Sequence, residues 1–321
     1  MDLSYFGKLS SRADFVRFNA SSDGFRAMDE WIQEGLRFVQ SRHVENFEHI
    51  YDTAGPSCFL FHNLDGSGPL VGTIRPSRDL SGRKYPFFAA LQFEPGGLAR
   101  IPVSRLVDQF SDLFESTRSM VDDAVEGRVS TADLDEVIHQ QAKLIFPSNN
   151  GSPDGVTVLD KISFSEFCTK LWDTFQDSRK YVAFKNLLDI FLPLKGRGQP
   201  RLGYGLQFPL IEGDLLIASV IFWLEVCLRL IASPDLEPTL IWNIRRGSDG
   251  AAPSLYINFS KTPASGIVQI LQLSLDLENL FRVDTLGTRD AAEIVLSIPE
   301  RYGRLIETEE ISLLQFLDSL N

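Results

Sequence analysis

The chain is poor in the groups that most enzymes and metal proteins rely on. Its 321 residues include three cysteines and four histidines. Cys58, Cys168 and Cys227 are odd in number, far apart and set among apolar neighbours. That pattern fits buried free thiols in a reducing compartment better than a disulfide framework, and no cysteine pair has the spacing of a zinc site. No Gly-x-Ser-x-Gly elbow is present, and Gly196-Arg197-Gly198 lacks the Gly-Lys-Ser/Thr ending of a phosphate loop. No cofactor is expected from these residues. Long apolar runs are missing too: Leu215 to Leu224 is the most apolar stretch, and Glu225 and Arg229 interrupt it. A membrane-spanning helix needs about 20 mostly apolar residues, so a buried core helix is expected and membrane insertion is not. Met1 to Tyr5 carries no basic region followed by an apolar one, so no signal peptide is expected and the chain reads as cytoplasmic. Base is scarce relative to acid, with 31 Lys and Arg against 43 Asp and Glu, a net charge of −12. That balance argues against a general nucleic-acid or anionic-membrane binder.

What remains is ordinary globular material, 44% apolar and 23% charged. The 24 phenylalanines against 7 tyrosines and 4 tryptophans point to aromatic rings used to fill space. Phe25, Met28, Ile32, Leu36 and Val39 recur at helical spacing behind Ser22 and Asp23, either of which suits an N-cap. Residues 58–62 and 70–74 flank a Gly- and Asp-rich turn and read as a β-hairpin. Phe87 to Phe93 is apolar almost throughout, as a strand buried on both faces would be.

From Pro102 the pattern turns helical and acidic, with nine acids between Val107 and Val137 against Arg118 and Arg128. Helical patterning resumes from Phe164 to Phe191, and residues 193–200 read as a flexible connection. A helix from near Asp214 to Ile231 precedes a second hairpin at 239–244 and 255–259. Pro263 suits the start of a short helix, and Leu313, Phe316, Leu317 and Leu320 mark a final one. The expected class is mixed α/β (α+β): an N-terminal α/β domain over 1–125, a mainly helical insertion or subdomain over 126–200, and a smaller C-terminal α+β domain over 201–321.

Chemistry is concentrated in one place. Residues 75–84 hold four cations, Arg75, Arg78, Arg83 and Lys84, and one acid, Asp79. Two readings stand side by side. Arginines on a loop between strands can grip a carboxylate or phosphate of a partner. The same segment also suits a connecting turn, with Gly82 free to adopt positive φ and the cations facing the protein's own acids. An enzyme binding a small molecule or phosphate on this loop, with His62 nearby as a base, is the alternative of a different class. The four histidines, His43, His49, His62 and His139, show no spacing that pairs them. Asp122-Asp123, the densest point of the acidic stretch, is a weak candidate for a cation site beside its plain reading as a solvated helix face. That stretch is also a candidate surface for a basic partner.

Three short blocks in the first 90 or so residues go further. The first keeps Phe6, Gly7, Lys8, Leu9, Ser11, Asp14 and Phe15, the second is Trp31-Ile32-Gln33-Glu34-Gly35-Leu36, and the third runs from Arg75 to Phe87. In type, spacing and order they resemble the TagF family, accessory proteins encoded with bacterial type VI secretion systems. The third block is the most specific, matching a Pro-Ser-x-Asp-x-x-Gly-Arg-x-Phe/Tyr-Pro pattern at Pro76, Ser77, Asp79, Gly82, Arg83, Tyr85 and Pro86. The first departs from the family at Ser10 and Ala13, where proline and glycine are usual. The resemblance implies an N-terminal αβα layered sandwich and a non-catalytic cytoplasmic repressor. Its implied partner is the forkhead-associated scaffold protein of the system, and it leaves oligomeric state open. Arg75, Arg78, Asp79, Arg83 and Lys84 are the candidate contacts, while Gly7, Lys8, Asp14, Phe15, Trp31, Pro76, Ser77, Gly82 and Pro86 read as structural.

Overall fold

In the computed structural model the described residues are 3–42, 44–45, 47–62, 68–94, 103–138, 156–233, 236–244, 250, 252–273, 277–287 and 289–320. His43 and His139, most of the first hairpin's turn and the break expected at 149–154 lie outside them. Strands β1 (Leu3–Gly7), β2 (Val16–Phe18), β3 (Ser57–Phe61), β4 (Leu70–Arg75), β5 (Phe87–Gln92), β6 (Gly205–Pro209), β7 (Thr239–Asn243), β8 (Ser254–Asn258) and β9 (Leu280–Arg282) form one sheet. Its order is β2-β1-β5-β4-β3-β7-β8-β6-β9. Every pairing is antiparallel except that of β6 with β9.

Both expected hairpins form, β3 with β4 and β7 with β8. They are also neighbours, because Ser57 pairs with Asn243 and Leu60 with Leu240. Strands from the ranges 1–125 and 201–321 therefore share one sheet. The 126–200 range supplies the helices Phe164–Trp172 and Ser178–Phe191 to one of its faces.

The central strands are buried on both faces, which is why their apolar runs are nearly unbroken. Cys58, Leu60, Val71, Phe87 and Ala89 face one way, into the core under α3 (Val103–Gln109), α4 (Ser111–Val125) and the helix Leu216–Ile231. Phe59, Phe61, Leu70, Ile74 and Phe88 face the other way, toward α1 (Asp23–Ser41) and α2 (Phe47–Thr53). The result is an αβα sandwich. Helix α1 is capped by Ser22, whose hydroxyl accepts from the Phe25 amide.

The helix Leu216–Ile231 lies in the larger core. Its two charges sit where neighbours meet them: Glu225 accepts from the Ser104 hydroxyl, and Arg229 reaches Glu225 at 3.3 Å and Asp318 at 2.8 Å. Among the described residues no helix is long and apolar enough to cross a membrane. Phenylalanine does fill space here, with Phe164 stacked on Phe316 at 4.2 Å and Phe167 against Phe222 at 4.5 Å.

The second motif block joins the two halves of the chain. The Trp31 indole donates to the Pro263 carbonyl at 2.9 Å. A Cβ at Gly35 would stand 2.6 Å from Cβ of Ile267, so α1 packs against residues 264–267 only because that side chain is missing. The connection at 193–200 is tied down rather than loose: the Gln199 amide donates to the Phe259 carbonyl and its oxygen accepts from the Glu237 amide. Strands β1, β2, β6 and β9 and the helices Ala291–Ser297 and Glu300–Ile306 add to the elements anticipated from patterning.

Two outcomes follow. Gly35→Ala lowers stability by roughly 1–3 kcal/mol, because the added methyl overpacks a rigid contact, and thermal melting checks it. All three cysteines are buried and unbonded, and burial pushes the thiols of Cys58 and Cys168 up to about 12. Native protein therefore leaves all three unmodified by a thiol reagent at neutral pH, and denaturant makes all three react.

Candidate functional site: the basic loop and its anchors

The loop from Arg75 to Pro86 joins β4 to β5 and folds back on itself. The Tyr85 amide donates to the Ser77 carbonyl at 3.0 Å, and Arg78 and Lys84 form an isolated bridge. At the tip, the Asp79 amide bonds the Arg83 carbonyl and the Gly82 amide bonds the Asp79 carbonyl. Gly82 sits at φ 84°, a conformation that excludes most side chains.

Asp79 organises this tip, although its side chain is fully buried. One carboxylate oxygen accepts from the Ser81 amide at 3.0 Å, the Ser81 hydroxyl at 2.7 Å and the Arg83 amide at 2.9 Å. The other accepts from Lys8 Nζ at 2.9 Å and Arg83 Nε at 2.7 Å. Burial alone would favour the neutral acid, but these donors outweigh it and hold the Asp79 carboxyl well below the usual carboxylate range.

Lys8 is nearly as buried, and its ammonium also lies 5.0 Å from the centre of the Phe15 ring. The first and third motif blocks thus meet as a buried ion pair. Gly7 belongs to the same junction: a Cβ there would run into the Pro86 carbonyl oxygen.

The rest of the loop is anchored in the same way. The Tyr51 hydroxyl of α2 donates to the Ser77 carbonyl at 2.9 Å. The Tyr85 hydroxyl donates to Asp29 of α1 at 2.6 Å, while Phe15 stacks on Phe6 and meets the Tyr85 ring edge-on at 4.8 Å. Pro76 and Pro86 are buried.

Each candidate cation faces an acid of the same chain. Arg75 reaches Asp122 at 2.7 Å and Glu126 at 2.8 Å on α4 and the residue just past it. Arg78 pairs with Asp52 and Lys84 with Glu48, both on α2. Arg83 binds Asp79, reaches the exposed Asp14 at 3.9 Å and donates to the Ala13 carbonyl. These pairings all lie within the chain, as a connecting turn would have them, and the side chain of Arg83 stays 59% exposed while making its own. Sequence reading missed the receiving ends, Asp29, Glu48, Tyr51 and Asp52. Nothing in their spacing pairs them with the loop.

The acidic stretch is partly neutralised from within. Asp122 also lies 3.7 Å from Arg118, and Asp123 lies 2.6 Å from Arg128. Among the described residues no cluster of three or more His, Cys, Asp or Glu is placed to hold a metal ion.

His62 is not near the loop, contrary to expectation. It follows Phe61, which pairs with Leu70, whereas the loop leaves the opposite end of β4 beside Ser57 and Ile74. Roughly 15 Å of strand separates them. There His62 lies 3.4 Å from Glu237 and exchanges backbone hydrogen bonds with the Thr239 hydroxyl. His49 sits exposed on α2. One open cleft, of about 300 Å³, lies elsewhere, bounded by Gln207, Asn243, Ser254, Gln269 and Arg282.

These features define a helix-covered, single-sheet α/β protein whose most patterned loop is braced from inside. The TagF N-terminal domain, described as type VI secretion system-associated, matches residues 4–141. That stretch of the chain is similar to the TagF N-terminal domain, and all three motif blocks fall within it. No curated protein matches the chain. The crystal structure of PA0076 from Pseudomonas aeruginosa PAO1 has a similar fold, with a TM-score of 0.51 and 17% identity. The match covers 86% of this chain and 97% of that one, so the likeness in fold extends past the family domain into the C-terminal strands.

The brace makes two measurable statements. Arg83→Ala lowers the melting temperature, because the Asp79 carboxylate and the Ala13 carbonyl both lose a donor. Asp79 titrates lower folded than unfolded, so its stabilisation is complete above about pH 4 and fades as pH falls below that value. Melts between pH 7 and pH 2.5 show a steeper acid loss for the wild type than for Asp79→Asn, which starts from a lower stability.

Proposed function

We propose that the chain is a non-catalytic regulator that restrains type VI secretion by binding the forkhead-associated scaffold protein of the system in the cytoplasm. Scaffold held in this way no longer promotes assembly of the apparatus. The observation that carries the reading is the TagF N-terminal domain over residues 4–141. The inward pairing of the loop cations supports it, since Arg75, Arg78, Arg83 and Lys84 are committed to acids of the chain itself. An αβα sandwich braced at its best-patterned loop offers a rigid body for partner binding.

Sequestration obeys mass action, so its effect follows the ratio of regulator to scaffold. Purified protein retains the forkhead-associated partner at micromolar concentrations. In cells, raising the regulator lowers secretion and raising the scaffold restores it. Failure to retain the partner, or repression indifferent to scaffold level, removes sequestration as the mechanism.

A further inference from the structure

The motif junction buries Lys8 and Asp79 and leaves two large apolar side chains exposed. Phe15 is 43% exposed and Leu80 is 68% exposed, although they come from different motif blocks. The fold brings their segments together: the Leu80 amide donates to the Arg12 carbonyl at 2.8 Å, and Arg83 donates to the Ala13 carbonyl.

The Leu80 side chain is not among the groups that hold the loop; its backbone amide alone ties the turn to Arg12. The turn is made by the backbone of Asp79, Gly82 and Arg83 and by the Asp79, Ser81 and Arg83 side chains. A turn tip ordinarily carries a small polar residue or glycine, yet here it presents a large aliphatic side chain on a stiff platform. A single exposed leucine is common, whereas two large apolar groups on adjoining rigid segments mark an interaction surface.

The charge around them has the opposite sign to the molecule as a whole. Arg12 and Arg83 flank the pair, and Arg17 of β2 pairs across the sheet with Phe6, on which Phe15 stacks. Cross-strand partners share a face, so Arg17 points to the side on which Phe15 lies. Arg83 also binds Asp79, whose charge the buried Lys8 offsets, so the three arginines stand against the exposed Asp14 in a chain of net charge −12. Arg12 is steadied by Nε donating to the Thr131 hydroxyl at 3.0 Å.

We infer that Phe15 and Leu80, rimmed by Arg12, Arg17 and Arg83, form the surface that docks an acidic face of the partner protein. The inference rests on the scaffold-binding reading above and names where that binding occurs. Phe15 and Leu80 supply the desolvated centre, and the arginines steer the approach and select negative charge. The loop's internal bracing fixes the platform before binding, which limits the entropy lost on association.

The test is titration calorimetry of the full chain against the purified forkhead-associated protein, for the wild type and for Leu80→Ser, Arg17→Glu and the double variant. Leu296→Ser is the control, since Leu296 is 86% exposed on the separate helix Ala291–Ser297. The expected result is a loss of affinity of about tenfold or more in the double variant, an unchanged melting temperature for Leu80→Ser, and no effect at Leu296. Wild-type affinity also weakens as salt rises from about 50 to 500 mM. Wild-type binding that the double variant retains in full, or that Leu296→Ser abolishes, overturns this surface and leaves the scaffold-binding reading standing. No wild-type binding at all overturns both.

Discussion

The buried pair of Lys8 and Asp79 is the constraint on which the N-terminal half of the structure depends. A carboxylate shut away from water is tolerable only when its lone pairs are satisfied. Asp79 meets that condition with donors from Lys8, Ser81 and Arg83. To deliver Lys8, β1 must approach the end of the loop so closely that its last residue is glycine. To deliver Arg83, the loop must turn at Gly82. Phe6, Phe15 and Tyr85 pack together beside the junction, where Lys8 and Asp79 are buried, and burial strengthens the contact between those two charges.

From that point the loop ties four parts of the molecule together. Tyr85 reaches α1, while Ser77, Arg78 and Lys84 reach α2. Arg75 reaches the end of α4 on the opposite side of the sheet, and Asp79 holds β1. The helices of the sandwich are thus fixed to its strands by ion pairs at one end as well as by apolar packing along their length. The second motif block does similar work at a different place, with Trp31 and Gly35 seating α1 against residues 263–267. All three blocks that carry the resemblance are therefore joints of the fold.

Much of the architecture was legible because local pattern and burial coincide. The β3–β4 and β7–β8 hairpins show as apolar runs around turns, β5 as an unbroken buried strand, and α1 as a clean amphipathic stripe. The short edge strands β2 and β9 were not legible, since three residues carry too little pattern and owe their pairing to neighbours far along the chain. Nor was the single sheet, because the junction of β3 with β7 joins residues more than 170 positions apart with no local sign at either end. At the site, the cations were visible and their partners were not. Arg75 gives no hint in sequence that Asp122 and Glu126 await it, and the pairing of Lys8 with Asp79 appears only once β1 lies beside β5. The exposed Leu80 was passed over because it is one apolar residue among many, and only the fold joins its turn to the segment that carries Phe15.

The central claim is that the 75–86 loop is an internal brace of the sheet. Native-state hydrogen exchange tests it directly, through the amides of Arg83 and Tyr85, which bond the Asp79 carboxylate and the Ser77 carbonyl. A brace requires these amides to open only with the strands they hold, so their protection matches that of the β4 and β5 amides. Exchange of Arg83 and Tyr85 orders of magnitude faster than β4 and β5 would contradict the account and return the segment to an ordinary surface loop.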